Sequence, residues 1–158
     1  MAESSAQIEL KQKAYDVIVS ETAKSLPVET GGILLGYHED MDLVVTDALV
    51  VDNRQASTDR YVRDDVLANE LLHAFLTQRA SDDPTGYIGE WHSHPKPVGP
   101  SIRDLAAIQA TAKSARHRIA LLVHIPAGIP PFVGLVAQPH RGRTVTTSEV
   151  KLLFPEPM

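Results

Sequence analysis

The sequence predicts a single mixed α/β (α+β) domain, a curved sheet of about six strands with helices packed on it. Three observations lead there. The chain has 158 residues, the usual size of one domain with a real core. Its 43% hydrophobic and 22% charged content is that of an ordinary globular protein. Short β-branched apolar runs also alternate along it with stretches of helical periodicity.

Residues 1–7 read as a flexible tail and 8–158 as the domain. Ala14, Val17, Ile18 and Leu26 recur at helical spacing, and Pro27 ends that helix. GGILLGY (Gly31–Tyr37) is an apolar run with glycines, hence a buried strand. It is expected to pair as a hairpin with LVVTDALVV (Leu43–Val51) across the polar HEDMD turn. The polar loop DNRQASTDR leads to a helix near Arg63–Arg79 with Val66, Leu67, Leu71, Ala74 and Phe75 on its apolar side. SDDPTG marks a turn. After it, YIGEWH reads as a strand, PSIRDLAAIQATAKSA as a helix and RIALLVHIP as a buried strand. PFVGLVAQP and TVTTSEVKLLF follow as two more strands, the second alternating and placed at an edge.

Composition removes several function classes. A net charge of -5 gives no basic face for nucleic acid. With no cysteine, disulfides and thiolate ligands are excluded, so any metal must be held by imidazole and carboxylate groups. MAESSAQIELKQK has no apolar run resembling a signal peptide, and no stretch approaches the roughly 20 apolar residues that cross a bilayer. The expectation is a cytoplasmic protein with no membrane partner.

The chemistry concentrates in GEWHSHPKPVGPSIRDL, Gly89 to Leu105. His92 and His94 stand two apart at a strand end, so both imidazoles project to one side while Trp91 and Ser93 point to the other. Pro95, Pro97 and Pro100 bracket a short loop, and Pro100 is placed to open the next helix. Ser101 and Asp104, three apart, share a face of that helix. Two imidazoles and a carboxylate with a fourth position open are the pattern of a catalytic zinc site. Each part alone has a plainer meaning. The His pair could be coincidence, Asp104 a first-turn carboxylate favoured by the helix dipole, Ser101 a helix-start residue. One metal site explains them together. Glu29, before the first buried strand, is the candidate proton acceptor. Its plainer meaning is an exposed loop carboxylate. His38, His73, His117, His124 and His140 read as surface or structural residues, and Lys113, Arg116 and Arg118 as a solvated helix end.

A Glu before a GGxLxG strand, then HSHP, then Ser-x-x-Asp, resembles the JAMM (MPN-domain) metallopeptidases, most closely the short bacterial forms. The likeness runs from about Glu29 to Leu105. It implies a single MPN/JAB-like, cytidine-deaminase-like fold and one Zn2+ per chain on His92, His94 and Asp104. It also implies Glu29 as general base and Ser101 as oxyanion stabiliser. PKPVGP (Pro95–Pro100) between His94 and Ser101 is one residue shorter than in most of the family.

The resemblance further implies cleavage of isopeptide or peptide bonds after the C-terminus of a ubiquitin-like protein or its conjugate, with the tail bound extended. Bacterial members often accompany activating and conjugating enzymes, some in antiphage defence. Others trim sulfur-carrier proteins. A silent MPN scaffold would typically lack metal ligands, whereas all five positions are filled here. RadC-type DNA-associated relatives share a similar pattern, which the acidic charge argues against.

Overall fold

The computed structural model describes residues 6–51 and 64–156, apart from the side chain of Arg143. The sequence alternates as expected, and its elements are β1 (Gln7–Leu10), α1 (Gln12–Ser25), β2 (Gly31–Glu39), β3 (Asp42–Val50), α2 (Asp65–Thr77), β4 (Gly86–Ser93), α3 (Ile102–Ala115), β5 (Ile119–His124), β6 (Phe132–Pro139) and β7 (Val145–Leu153).

The described residues form seven strands rather than about six, and these close into a barrel in the order β1-β3-β2-β4-β5-β6-β7. The additional strand is β1, whose four residues lie partly in the segment expected to be tail: Gln7 pairs with Lys151. Residues 1–5 and the DNRQASTDR loop lie outside the described residues. β7 does alternate in burial, but it pairs antiparallel with β6 and parallel with β1, so it is not an edge. A four-residue strand carries too little periodicity to announce itself, and its pairing with distant strands is what makes it one.

Closure sorts the side chains. Ile8, Leu34, Val45, Trp91, Leu122 and Val136 form one buried cluster with Ala14 and Ile18 of α1, so the sheet's inner face wraps that helix. On the other face, α3 packs Ile108 and Ala112 against Ile119, Leu121 and Val123 of β5. α2 covers Ile33 and Val51 with Ala68. Of the apolar side expected for α2, Leu67 and Leu71 pack on this cluster as expected, but its fully buried position is Ala68, and Val66 (70% exposed) and Ala74 face outward. One buried carboxylate binds the layers together. Asp47 of β3 meets Lys13 of α1 at 2.7 Å and Arg79 beyond α2 at 3.5 Å, and accepts from Thr46 Oγ1 at 2.9 Å.

Two register features position the site. β2 and β4 run antiparallel with Gly31 opposite His92 and Gly32 opposite Trp91. Trp91 Nε1 donates to the Leu49 carbonyl at 3.1 Å, and a Cβ at position 32 would overlap that same oxygen. Glycine is therefore required there for close backbone approach. β4 and β5 are parallel, joined through α3, so the ends of both strands and the start of α3 meet at one end of the barrel.

Candidate metal centre

His92 is the penultimate residue of β4 and His94 follows its end. Trp91 and Ser93 are fully buried on the inner side, which leaves the two imidazoles on the α3 side with ring centroids 5.0 Å apart. The bond from His94 N–H to the His124 carbonyl, at 2.8 Å, extends the β4–β5 pairing just past the strand. PKPVG then folds back, and His94 Nδ1 donates to the Val98 carbonyl at 2.8 Å. A carbonyl can only accept, so Nδ1 carries the hydrogen and Nε2 is the nitrogen presented to a metal.

Asp104 arrives from α3. Ser101 is the N-cap of that helix: its Oγ accepts from Asp104 N–H at 3.1 Å, and Asp104 Oδ2 accepts from Ser101 N–H at 2.7 Å. This reciprocal capping box fixes the carboxylate at the helix entrance. Pro100, expected to open the helix, precedes the N-cap and lies two residues before the first helical residue, Ile102. Asp104 Oδ1 lies 3.4 Å from His92 Nε2 and Oδ2 lies 3.5 Å from His94 Nε2.

Ligand atoms of His92, His94 and Asp104 all fall within 4.8 Å of one another. The electrostatics agree with a shared cation. Burial opposes charge on His94, but Asp104, the Val98 carbonyl and Glu29 outweigh it and raise its pKa. Burial likewise opposes charge on Asp104, yet its hydrogen bonds with His92 and His94 and their charge hold its carboxyl far below the usual range. An Nε2 lone pair facing a carboxylate oxygen is repulsive unless a proton or a metal cation lies between them, and a metal would replace the protons that hold these pairs together. Two imidazole nitrogens and a carboxylate oxygen, without sulfur, suit Zn2+. The donor set therefore fits the metal.

Glu29 reaches this group by register. Ser93 N–H donates to the Thr30 carbonyl at 2.8 Å, and Thr30 N–H donates back to Ser93 Oγ at 3.0 Å. Continuing the β2–β4 pairing one residue further sets Glu29 opposite His94, where its charge favours the imidazolium. Glu29 is only 6% exposed, which excludes the exposed loop carboxylate. Ser101, by contrast, is exposed and serves the cap. Its Oγ accepts there, so its own O–H can be directed elsewhere.

Three supporting residues were not assigned to the site beforehand. Thr30 and Ser93 lock Glu29 to β4, and His124 holds the His94 backbone. Ser93 could have been suspected as the one polar inward position between two histidines. His124 was expected to be structural. It is buried, donates from Nδ1 to the Pro131 carbonyl at 3.1 Å and stacks on Phe132 at 4.2 Å. Arg118 is more than a solvated helix end. Its guanidinium donates to the Met41 carbonyl and, at 2.7 Å, to the Asp40 carbonyl, closing the β2–β3 turn.

A barrel-like sheet wrapped on one helix, with a His-x-His…Asp group where parallel strands meet a capped helix, defines a JAB-like α+β domain. The family model described as prokaryotic homologs of the JAB domain matches residues 11–142, and the chain belongs to that family. The solution structure of protein DSY2949 from Desulfitobacterium hafniense is similar, with a TM-score of 0.64 at 22% identity over 96% of this chain and 94% of that one. That likeness concerns the fold. A search of curated proteins finds no match. JAB domains include metallopeptidases and often bind zinc, which agrees with the donor set here. Among the described residues, no helix is long and apolar enough to cross a membrane.

Proposed function

We propose that this chain is a zinc-dependent isopeptidase acting in the cytoplasm, which cleaves after the C-terminus of a ubiquitin-like protein or of a protein conjugated in that manner. The observation that carries it is the burial of Glu29 beside His94, next to three converging metal donors. A structural metal site needs no carboxylate beside its ligands, whereas a hydrolytic one needs a proton acceptor.

His92, His94 and Asp104 hold the zinc ion. Bound there, it supplies Lewis acidity that activates water and polarises the scissile carbonyl. Glu29 takes the proton of the attacking water and delivers it to the departing amine, a lysine ε-nitrogen or a backbone nitrogen. The Ser101 hydroxyl donates to the oxyanion, and the positive end of α3 reinforces it. The Val98 carbonyl keeps His94 in the tautomer that leaves Nε2 basic. The closed sheet has no edge among the described strands. The substrate tail is therefore held extended by loops and side chains rather than as an added edge strand.

Trimming a sulfur-carrier protein would use the same chemistry, and activating or conjugating enzymes of a defence system would supply the conjugates. The test incubates the zinc-loaded chain with a ubiquitin-like protein joined through its C-terminus to a target, with a chelator and Glu29→Gln as controls. Cleavage at the junction that both controls abolish is expected. An intact junction at stoichiometric zinc would reject the reading and leave a scaffold role.

A further inference from the structure

We infer that the aromatic cavity between the start of α1, the β5–β6 loop and the end of β7 is a second binding site. Its ligand is an arginine or lysine side chain presented by an extended segment of a partner polypeptide. The cavity has a volume of about 690 Å³ and is walled by Tyr15, Phe132, Phe154 and three prolines, Pro130, Pro131 and Pro155. That is more than one side chain fills, which leaves room for an anchor residue and the flanking residues of a short segment.

The three rings face one another at an angle. Tyr15 and Phe132 lie 5.9 Å apart, Phe132 and Phe154 5.4 Å, and Tyr15 meets Phe154 edge-on at 6.3 Å. Phe132 is buried and stacked on His124, so it braces the group, while the 47% exposed Phe154 and the half-buried Tyr15 present the aromatic surface to an entering cation. Asp16 and Glu156, both exposed, are the ionisable groups of the lining, and both are acidic. Apolar walls with a carboxylate rim match a side chain that has an aliphatic stem and a cationic head. Asp16 Oδ1 accepts from Gln12 Nε2 at 2.8 Å, which holds the carboxylate at the rim with its charge uncompensated among the described residues, so a cationic head is favoured there and an anionic ligand would be repelled.

The walls are set in place before any ligand arrives. The Pro131 carbonyl accepts from Ile125 N–H at 2.6 Å and from His124 Nδ1 at 3.1 Å, and Phe132 is stacked under the His124 ring. Proline walls lose little freedom on binding. Beside them Ile129 is fully exposed, an apolar contact available to the same segment. His124 pairs with Ser93, whose side chain points inward, while His92 and His94 face α3. The cavity and the metal centre thus lie on opposite faces of the same strand ends, and both can be occupied together.

The test titrates the isotopically labelled full chain with the peptide Ac-Ala-Pro-Arg-Pro-Ala-NH2 and with its citrulline counterpart, following amide shifts by NMR. Saturable shifts around Tyr15, Phe132 and Phe154 are expected, with the neutral peptide binding about tenfold more weakly. Asp16→Asn with Glu156→Gln, two surface changes that leave the fold intact, should weaken the arginine peptide. His92→Ala should leave binding unchanged, which separates this site from the metal centre. Absence of saturable shifts, equal binding of the citrulline peptide, or shifts centred on His92 and His94 would each overturn the inference.

Discussion

Ser93 and Thr30, 63 residues apart, share three hydrogen bonds: Ser93 N–H to the Thr30 carbonyl at 2.8 Å, Thr30 N–H to Ser93 Oγ at 3.0 Å, and a longer one from Ser93 Oγ to the same carbonyl at 3.4 Å. Through this pair the residue before β2 is fastened to the residue between the two histidines. Ser93→Ala should strand the buried Thr30 N–H and cost about 1–3 kcal/mol. Denaturant unfolding measures that cost. Zinc content should stay near wild type while cleavage falls, because the change displaces Glu29 and leaves the ligands alone. Unchanged stability would show that Thr30 N–H finds another acceptor.

Ser101 has two roles that one substitution separates. Ser101→Ala removes the cap on α3, worth about 1 kcal/mol, and the proposed oxyanion donor, worth about 10²–10³ in rate. Ser101→Asp restores a cap acceptor but no hydroxyl. Its stability should recover while kcat remains low. Recovery of both would reduce Ser101 to a cap.

Metal binding should be readable as stability. A ligand that binds only the folded chain contributes about 2.7 kcal/mol when its free concentration is 100 times Kd. Zinc is expected to raise Tm of the wild-type chain and a chelator to reverse it. His92→Ala and Asp104→Asn should abolish the rise. An equal rise in all three would place the ion elsewhere.

Protonation of His124 should weaken the fold. Burial lowers its pKa below 6.5, only partly opposed by the bond to the Pro131 carbonyl. A depressed histidine contributes stability that is complete above the unfolded pKa of 6.5 and is lost as pH falls through the lower folded value. Burial, with Arg118 and His117 nearby, lowers the His38 pKa as well, so it acts with the same sign. The raised pKa of His94 acts oppositely, contributing below 6.5 and losing that contribution as pH rises. Comparing wild type with His124→Asn isolates one group. The variant's unfolding free energy should fall less steeply between pH 6.5 and 5, as followed by urea titration. Parallel profiles would contradict the assignment.

Much of this was legible in the residues. Periodicity located α1, β2, β3 and β4 to β7 within a few positions, because each is long enough for its pattern to repeat. β1 escaped because four residues hold one alternation. The apolar side of α2 was legible at Leu67 and Leu71 but not at Val66, because Val66 and Ala68 are both apolar on paper and only packing against Ile33 selects between them. Arg118 read as solvated because its acceptors, the Asp40 and Met41 carbonyls, belong to a turn far away in sequence.

The sequence by itself determined which donors a metal would find. Without cysteine, a strand-end His-x-His followed by Ser-x-x-Asp leaves imidazole and carboxylate as the donors, and local geometry alone aligns each pair. Tertiary structure decided whether a buried carboxylate stands beside them. Glu29 is buried against His94 only because β2 and β4 pair antiparallel with Gly31 opposite His92, a register with no local signature. It also decided that the sheet closes, since the β1–β7 pairing depends on how seven twisted strands add up around α1 rather than on any one of them.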